Sequence, residues 1–61
     1  MTVRELVRKL KEAGWVQVGQ KGSHRQFKKD GVSHRVTVPG TDSHELPKGT
    51  ERAILKQAGL I

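Results

Sequence analysis

The residues best suited to chemistry form one short basic segment, Lys21-Gly22-Ser23-His24-Arg25. Histidine takes up and releases protons near neutral pH, because its unperturbed pKa is about 6.5. Neighbouring cations can hold a phosphodiester and stabilise the extra charge of its transition state. This combination suits attack of a ribose 2′-hydroxyl on the adjacent phosphate, a reaction that would need neither a metal nor a cofactor.

Two other interpretations of this segment stay open. A non-catalytic module could grip RNA through its phosphates, with His24 as an ordinary donor. An interaction protein could dock an acidic partner on the same basic surface without any chemistry, and a surface histidine beside a solvated basic strand is the simplest explanation of all. The sequence contains no Gly-rich phosphate loop, and His24, His34 and His44 are not spaced like metal ligands.

Charge and composition narrow the class of protein. Twelve Lys and Arg residues against six Asp and Glu give a net charge of +6, which favours a polyanionic partner. There is no cysteine, and only 33% of the residues are hydrophobic. No apolar run approaches the roughly 20 residues of a membrane span, and no targeting segment is visible. We expect one cytoplasmic domain over residues 1–61, near the lower size limit for independent folding.

The first element predicted around the basic segment is an N-terminal helix. Thr2 and Glu5 have the spacing of a capping box, and Gly14 is placed to end the helix in a left-handed conformation. Between them an apolar stripe recurs at helical spacing. Its members are Val3, Leu6, Val7, Leu10 and Ala13.

Strands are predicted at 15–18, 23–29 and 32–38, with a polar turn at 19–22. Asp30-Gly31 predicts a two-residue type I′ turn between the last two strands. After a polar connection over 39–47, a second helix is expected to begin near 49–50 and to end at Gly59. Its inward positions are predicted to be Ala53, Ile54, Leu55, Ala58 and Leu60.

A turn at Asp30-Gly31 would pair Phe27 with His34, Gln26 with Arg35 and His24 with Thr37. Alternation along the strands then separates two faces. The apolar face, which both helices must cover, would hold Phe27, His34, Val36 and Val38. The open face would hold His24, Gln26, Lys28, Arg35 and Thr37. Arg25 falls on the apolar face, so we expect it at the rim of the sheet or displaced by a bulge near Ser23.

In sequence the chain resembles the HicA toxins of bacterial and archaeal toxin–antitoxin systems, over nearly all of its length. The segment Lys21-Gly22-Ser23-His24-Arg25-Gln26-Phe27 matches the family signature Lys-Gly-Ser-His-x-x-Phe. Residues 10–15 resemble the exit of the family's first helix, and residues 36–39 resemble the end of its third strand. Residues 45–50 and 54–59 match its C-terminal helix region. The order and spacing of these fragments carry the resemblance.

The resemblance implies an α+β fold like that of double-stranded-RNA-binding domains, α-β-β-β-α, with two helices on one face of a three-stranded antiparallel sheet. It implies a metal-independent endoribonuclease that cuts mRNA and arrests growth as a stress response. His24 matches the catalytic histidine, with Gly22 and Ser23 as its neighbours. A HicB antitoxin that covers the active site is the implied protein partner.

Two positions depart from the family pattern. Gly40 and Thr41 stand where the family often has a histidine after the third strand, and Arg25 replaces a histidine that often follows the catalytic one. The expected contacts to single-stranded RNA are Lys21, Gly22, Ser23, Arg25, Lys28 and Arg35, with no metal, small-molecule cofactor or membrane involved. Trp15 and Phe27 are predicted to be core residues, His34 a packed or hydrogen-bonded residue, and His44 an exposed loop residue.

Overall fold

A computed structural model describes all of residues 1–61 and has the predicted order of elements. Helix α1 spans Val3–Glu12, strands β1, β2 and β3 span Val16–Lys21, His24–Lys28 and Val36–Val38, and helix α2 spans Lys48–Gln57. The strands form one antiparallel sheet in the order β1-β2-β3. Both helices pack on the same face of this sheet, so the predicted α+β class is confirmed. Neither helix is long and apolar enough to cross a membrane.

Helix α1 begins and ends as its sequence predicts. The backbone N–H of Glu5 donates to Thr2 Oγ1 at 3.2 Å, and the N–H of Thr2 donates to Glu5 Oε1 at 3.1 Å, which completes the capping box. At the other end Gly14 has a φ of +97°. The N–H groups of Gly14 and Trp15 then donate to the carbonyls of Lys11 and Leu10 at 3.0 and 2.9 Å. This pair of bonds is a Schellman motif, which satisfies carbonyls that the helix leaves free.

The core lies between the helices and the sheet and contains twelve buried hydrophobic residues. Trp15 is 2% exposed and Phe27 is fully buried, so both are core residues as predicted. The indole N–H of Trp15 donates to the carbonyl of Ala58 at 3.3 Å, which ties the end of α2 to the junction of α1 and β1. Ala53 was predicted to face inward but is exposed, and Leu60 is also exposed.

The pairing of β2 with β3 differs from the prediction by two residues. Phe27 lies opposite Val36, and Gln26 opposite Thr37. The N–H of Val32 does donate to the carbonyl of Lys29 at 3.1 Å, but Gly31 alone has a positive φ, at +81°. A type I′ turn needs a positive φ at both central residues, so this is the type II pattern and the type I′ prediction is wrong. Residues 29–35 form a longer connection instead of the start of β3.

The shifted register places an apolar pair in the core. The predicted register would have put an imidazole, His34, opposite Phe27 on the buried face, where an unpaired polar group is costly. In the structure the His34 ring is exposed, lies 5.9 Å from Trp15 between centroids, and its Nε2 is 2.8 Å from the Gln57 carbonyl. His34 is therefore hydrogen-bonded, as expected. Because the shift is an even number of residues, the residues of β2 and β3 keep their predicted faces.

The segment between β3 and α2 is bound to the start of α1. The N–H groups of Val3 and Arg4 donate to the carbonyls of His44 and Asp42 at 2.9 and 3.0 Å. Contacts with Glu45 at 2.8 Å and with Glu51 at 3.0 Å raise the pKa of the Met1 ammonium to about 10. These bonds hold the loop over 39–47 against α1 and place Asp42 beside the first turn of this helix.

Candidate active site and basic surfaces

The turn between β1 and β2 creates the site, and it occupies residues 22–23 instead of the predicted 19–22. Strand β1 continues through Lys21, and Lys21 pairs with His24 across the two-residue loop Gly22-Ser23. Gly22 has a φ of +60° while Ser23 does not have a positive φ. A positive φ at the first central residue only is the type II′ pattern, which requires glycine there. The predicted turn at 19–22 is wrong because the Gly-Ser signal at 22–23 was not used.

A bulge in β1 accompanies this longer strand. The pairing skips one residue between Gln17 and Gly19, so Val18 has no partner in β2. The bulge therefore lies in β1, and the alternative of a bulge near Ser23 is wrong. It leaves Val16 and Val18 exposed and sets the register in which Lys21 meets His24.

His24 lies on the open face of the sheet, as predicted. It is exposed, and Phe27, three positions later on the strand, faces the helices. Lys21 is directly opposite, and the Cβ atoms of such a pair lie about 4.5–5.5 Å apart. The side-chain hydrogen bonds of the protein do not involve His24. Both ring nitrogens are therefore free to meet a ligand.

Two backbone donors lie in the turn that immediately precedes His24. The N–H groups of Gly22 and Ser23 belong to neither strand, and they donate to no other backbone group. A Cβ added to Gly22 would meet nothing within 4 Å, so the backbone here is open to a close approach. The side-chain amide of Gln20 donates to the Gly22 carbonyl at 2.9 Å, and this hydrogen bond stabilises the turn. The turn thus offers donors for an anion next to the His24–Lys21 pair.

The remaining residues predicted on the open face lie farther along it. Gln26 follows His24 on this face, and the Arg35 guanidinium donates to Gln26 Oε1 at 3.0 Å. Lys28 is four residues from His24, which is roughly 13 Å along an extended strand. The structure thus joins Lys21, Gly22, Ser23 and His24 in one place, and Arg35 and Lys28 extend the positive surface away from it.

Arg25 points away from His24. It pairs with Val38 on the face that the helices cover, and its side chain is 17% exposed. There its guanidinium forms an ion pair with Asp42 from the loop over 39–47. This hydrogen bond lowers the pKa of Asp42, and the positive charges of Arg4 and Lys11 add to the effect. The expected position at the rim of the sheet is the correct alternative for Arg25, and it does not share a surface with His24.

Comparisons with known proteins place the chain in a family. Residues 3–60 match the family model described as HicA toxin of bacterial toxin-antitoxin. The chain belongs to the HicA toxin family. A solved structure described as a toxin-antitoxin complex from Streptococcus pneumoniae contains a chain that is 44% identical and superposes with a TM-score of 0.84. The match covers 98% of each chain. A search of curated proteins gave no match.

The structure describes the surroundings of Arg25 and Gly40, where this HicA sequence departs from the expected pattern. Arg25 cannot assist His24 because adjacent strand residues point to opposite faces. Gly40 has a φ of +92°, and a Cβ there would lie 2.8 Å from Cδ2 of His44. A side chain at position 40 would therefore require His44 to move. His44 itself is an exposed loop residue, as expected.

Sequence reasoning missed two side chains that support the basic residues of this HicA chain. Gln20 donates to the turn, and Asp42 pairs with Arg25. The Gly-Ser hairpin signal would have located Gln20 next to the turn. No local pattern predicts the contact of Asp42 with Arg25, since they are 17 residues apart. No three His, Cys, Asp or Glu residues come together as a metal-binding group.

Proposed function

We propose that this HicA protein is an endoribonuclease that cleaves mRNA by a metal-independent reaction, with His24 as the catalytic residue. The observation that carries the proposal is the exposed imidazole on the open face, opposite Lys21 and next to the free N–H groups of Gly22 and Ser23. This arrangement offers a proton-transfer group and anion donors within one turn.

The nucleophile is the substrate's own 2′-hydroxyl. Its oxygen attacks the adjacent phosphorus while the bond from phosphorus to the leaving 5′-oxygen breaks. The products are a 2′,3′-cyclic phosphate and a free 5′-hydroxyl. His24 either accepts the proton of the 2′-hydroxyl or supplies a proton to the 5′-oxygen, and water serves the other role.

Different basic residues contact different phosphates of the RNA. Lys21 and the N–H groups of Gly22 and Ser23 hold the phosphate that is cut, where they stabilise the added negative charge. Arg35 and Lys28 are farther away on the same face and hold neighbouring phosphates of a single strand. Arg25 contacts the RNA from the other side of β2.

An antitoxin of the HicB kind is the proposed protein partner, and the similarity to a chain of a toxin-antitoxin complex supports it. The face with His24, Lys28 and Arg35 is the proposed docking surface, because a partner there would exclude RNA from the catalytic histidine. Acidic or neutral polar groups of the partner would meet these cations, so association should weaken as salt rises. Chemical-shift changes confined to the helices on addition of the antitoxin would contradict this docking face.

The decisive test is cleavage of RNA by the purified protein in EDTA, with His24→Ala compared with His44→Ala. We expect His24→Ala to lose cleavage by at least about a hundredfold, since one general acid or base is removed. His44→Ala, which removes another exposed histidine, should cut like the parent. Thermal unfolding should be unchanged for His24→Ala, because its side chain is exposed and leaves no cavity.

The products provide a second criterion within the same experiment. Mass spectrometry should find a cyclic or 3′-phosphate and a 5′-hydroxyl, and DNA of the same sequence should remain intact. A 5′-phosphate product would mean that water is the nucleophile and would contradict the mechanism. Recovery of bound but intact RNA from the parent protein would favour the non-catalytic RNA-binding module.

A further inference from the structure

A second basic surface lies on the side of the molecule away from His24. It is a cleft of about 390 Å³ between α1 and the start of β2, bounded by the loop over 39–47. We call it the α1 cleft. Its lining residues are Arg4, Val7, Arg8, Lys11, Glu12, Arg25 and Asp42. Four of these seven carry a positive charge, two carry a negative charge, and one is apolar.

The cations of the α1 cleft are gathered by the tertiary structure. Arg4, Arg8 and Lys11 follow one another at spacings of four and three residues, so they share one side of α1 over roughly 10 Å of its length. Arg25 joins them from β2. Lys9, which is equally basic and on the same helix, lies instead beside the apolar groove that contains Leu55 and Ile61. The cluster therefore differs from an ordinary solvated helix face, because a cation from β2 is added to three of the cations of α1.

Asp42 lies among these cations. Its carboxylate pairs with Arg25, its carbonyl accepts the Arg4 N–H at 3.0 Å, and its side chain remains 49% exposed. A guanidinium binds carboxylate and phosphate oxygens in the same planar geometry. An incoming phosphate therefore finds a position that is already shaped for an anion and that is open to solvent.

We propose that the α1 cleft binds backbone phosphates of RNA, and that Asp42 occupies the position of one phosphate in the free protein. The choice of RNA rests on the proposed function. Arg25 and His24 are consecutive residues next to the β1–β2 turn. A single-stranded RNA that passes over this turn can therefore reach both the open face and the cleft. Val7 is the only apolar residue that lines the cleft, and four of the other six are cations, so the lining suits the phosphates of a nucleic acid backbone.

The test is binding of a short 2′-O-methyl RNA, which has no free 2′-hydroxyl for cleavage, measured by fluorescence anisotropy over a range of KCl concentrations. We expect Arg8→Gln and Lys11→Gln each to weaken binding. Each should also reduce the slope of log K against log salt by about 0.7 per lost phosphate contact. Lys9→Gln is the matched control and should leave both quantities unchanged. Asp42→Asn should tighten binding, since it removes the competing carboxylate.

The proposal is wrong if Arg8→Gln and Lys11→Gln bind like Lys9→Gln, or if the parent protein does not bind this RNA. It is also wrong if the two variants weaken only the association with the antitoxin, because the cleft would then be a protein site. The His24→Ala variant distinguishes RNA binding by the α1 cleft from catalysis by His24. If that variant retains the parent's salt slope for 2′-O-methyl RNA but cuts unmodified RNA normally, the proposed catalytic residue fails while the cleft stands.

Discussion

His24 and Arg25 are neighbours in sequence, but they serve different surfaces because they are consecutive residues of a strand. His24 faces solvent beside Lys21, whereas Arg25 faces the helices and pairs with Asp42. The basic segment over residues 21–25, which looks continuous in the sequence, is therefore divided between the two faces of β2. The partner of His24, Lys21, lies in the same basic segment, whereas Asp42 lies 17 residues from Arg25 in the sequence.

The Arg25–Asp42 pair should make stability depend on pH in acid. The pKa of Asp42 is lowered in the folded protein by the Arg25 hydrogen bond, so the pair stabilises the fold above the ordinary Asp pKa of about 3.9. This contribution is lost as the pH falls through the lower folded-state pKa. We expect Asp42→Asn to be less stable than the parent near pH 6 and equally stable in strong acid, by urea unfolding.

Arg25→Gln supplies the control for this pH dependence. In an Arg25→Gln background the Asp42→Asn substitution should have little effect at either pH, because the pair is already broken. An undiminished effect of Asp42→Asn in that background would show that Arg25 is not the cause.

At the level of elements, the β1–β2 hairpin is the structure that makes the candidate active site. Its two-residue turn aligns Lys21 with His24, and the bulge at Val18 sets the register of the longer strand. Helix α1 contributes through its side chains to the second surface, and the loop over 39–47 holds Asp42 against its first turn. Both surfaces therefore take their residues from more than one element.

The conformation of the hairpin turn predicts that Gly22→Ala lowers the free energy of unfolding. Gly22 has a φ of +60°, which an L side chain adopts at a cost of roughly 1–2 kcal/mol, although its Cβ would meet no other atom. We expect the free energy of unfolding to fall by about this amount in denaturant titrations, and cleavage to fall as the turn distorts.

Gly49→Ala is the matched control for the hairpin prediction. Gly49 lies in α2 without a positive φ and also has open space around its Cα. Alanine should stabilise the helix there by roughly 0.5–1 kcal/mol. Equal effects of the two glycine substitutions would contradict the assignment of the turn.

At the scale of the whole molecule, twelve buried residues hold together a chain of 61 residues that carries the two proposed binding surfaces. The helices cover one face of the sheet, which leaves the other face free for His24 and its cations. Trp15 links the two helices to the sheet, since it is buried in the core and its indole also holds the end of α2. Small domains have a small free energy of unfolding, so the loss of one large core side chain can unfold them.

Phe27→Ala should therefore unfold most of the protein. Phe27 is fully buried opposite Val36, and a Phe-to-Ala change in a core costs about 3–5 kcal/mol. Val16→Ala on the same sheet is the control, because Val16 is 62% exposed and should cost under roughly 0.5 kcal/mol. Circular dichroism with urea titration distinguishes the two. A folded Phe27→Ala protein of parental stability would contradict the described core.

Short-range patterns were sufficient for the order of the elements, for α1 and for the two faces of β2. The capping box at Thr2, the stop at Gly14 and the apolar stripe predicted α1 correctly, because these signals act within one or two helical turns. The alternation of β2 and β3 also placed His24 and Lys28 on the open face despite the wrong register, since a shift of two residues preserves the faces.

Register and long-range pairs depended on contacts between distant segments. Burial of Val36 opposite Phe27, and the bond from His34 to the end of α2, outweighed the local turn preference of Asp30-Gly31. The α1 cleft likewise exists because the loop over 39–47 brings Asp42 to Arg25 and α1 adds three cations. Such arrangements depend on packing energies summed over the whole core, which spacing along the chain does not encode.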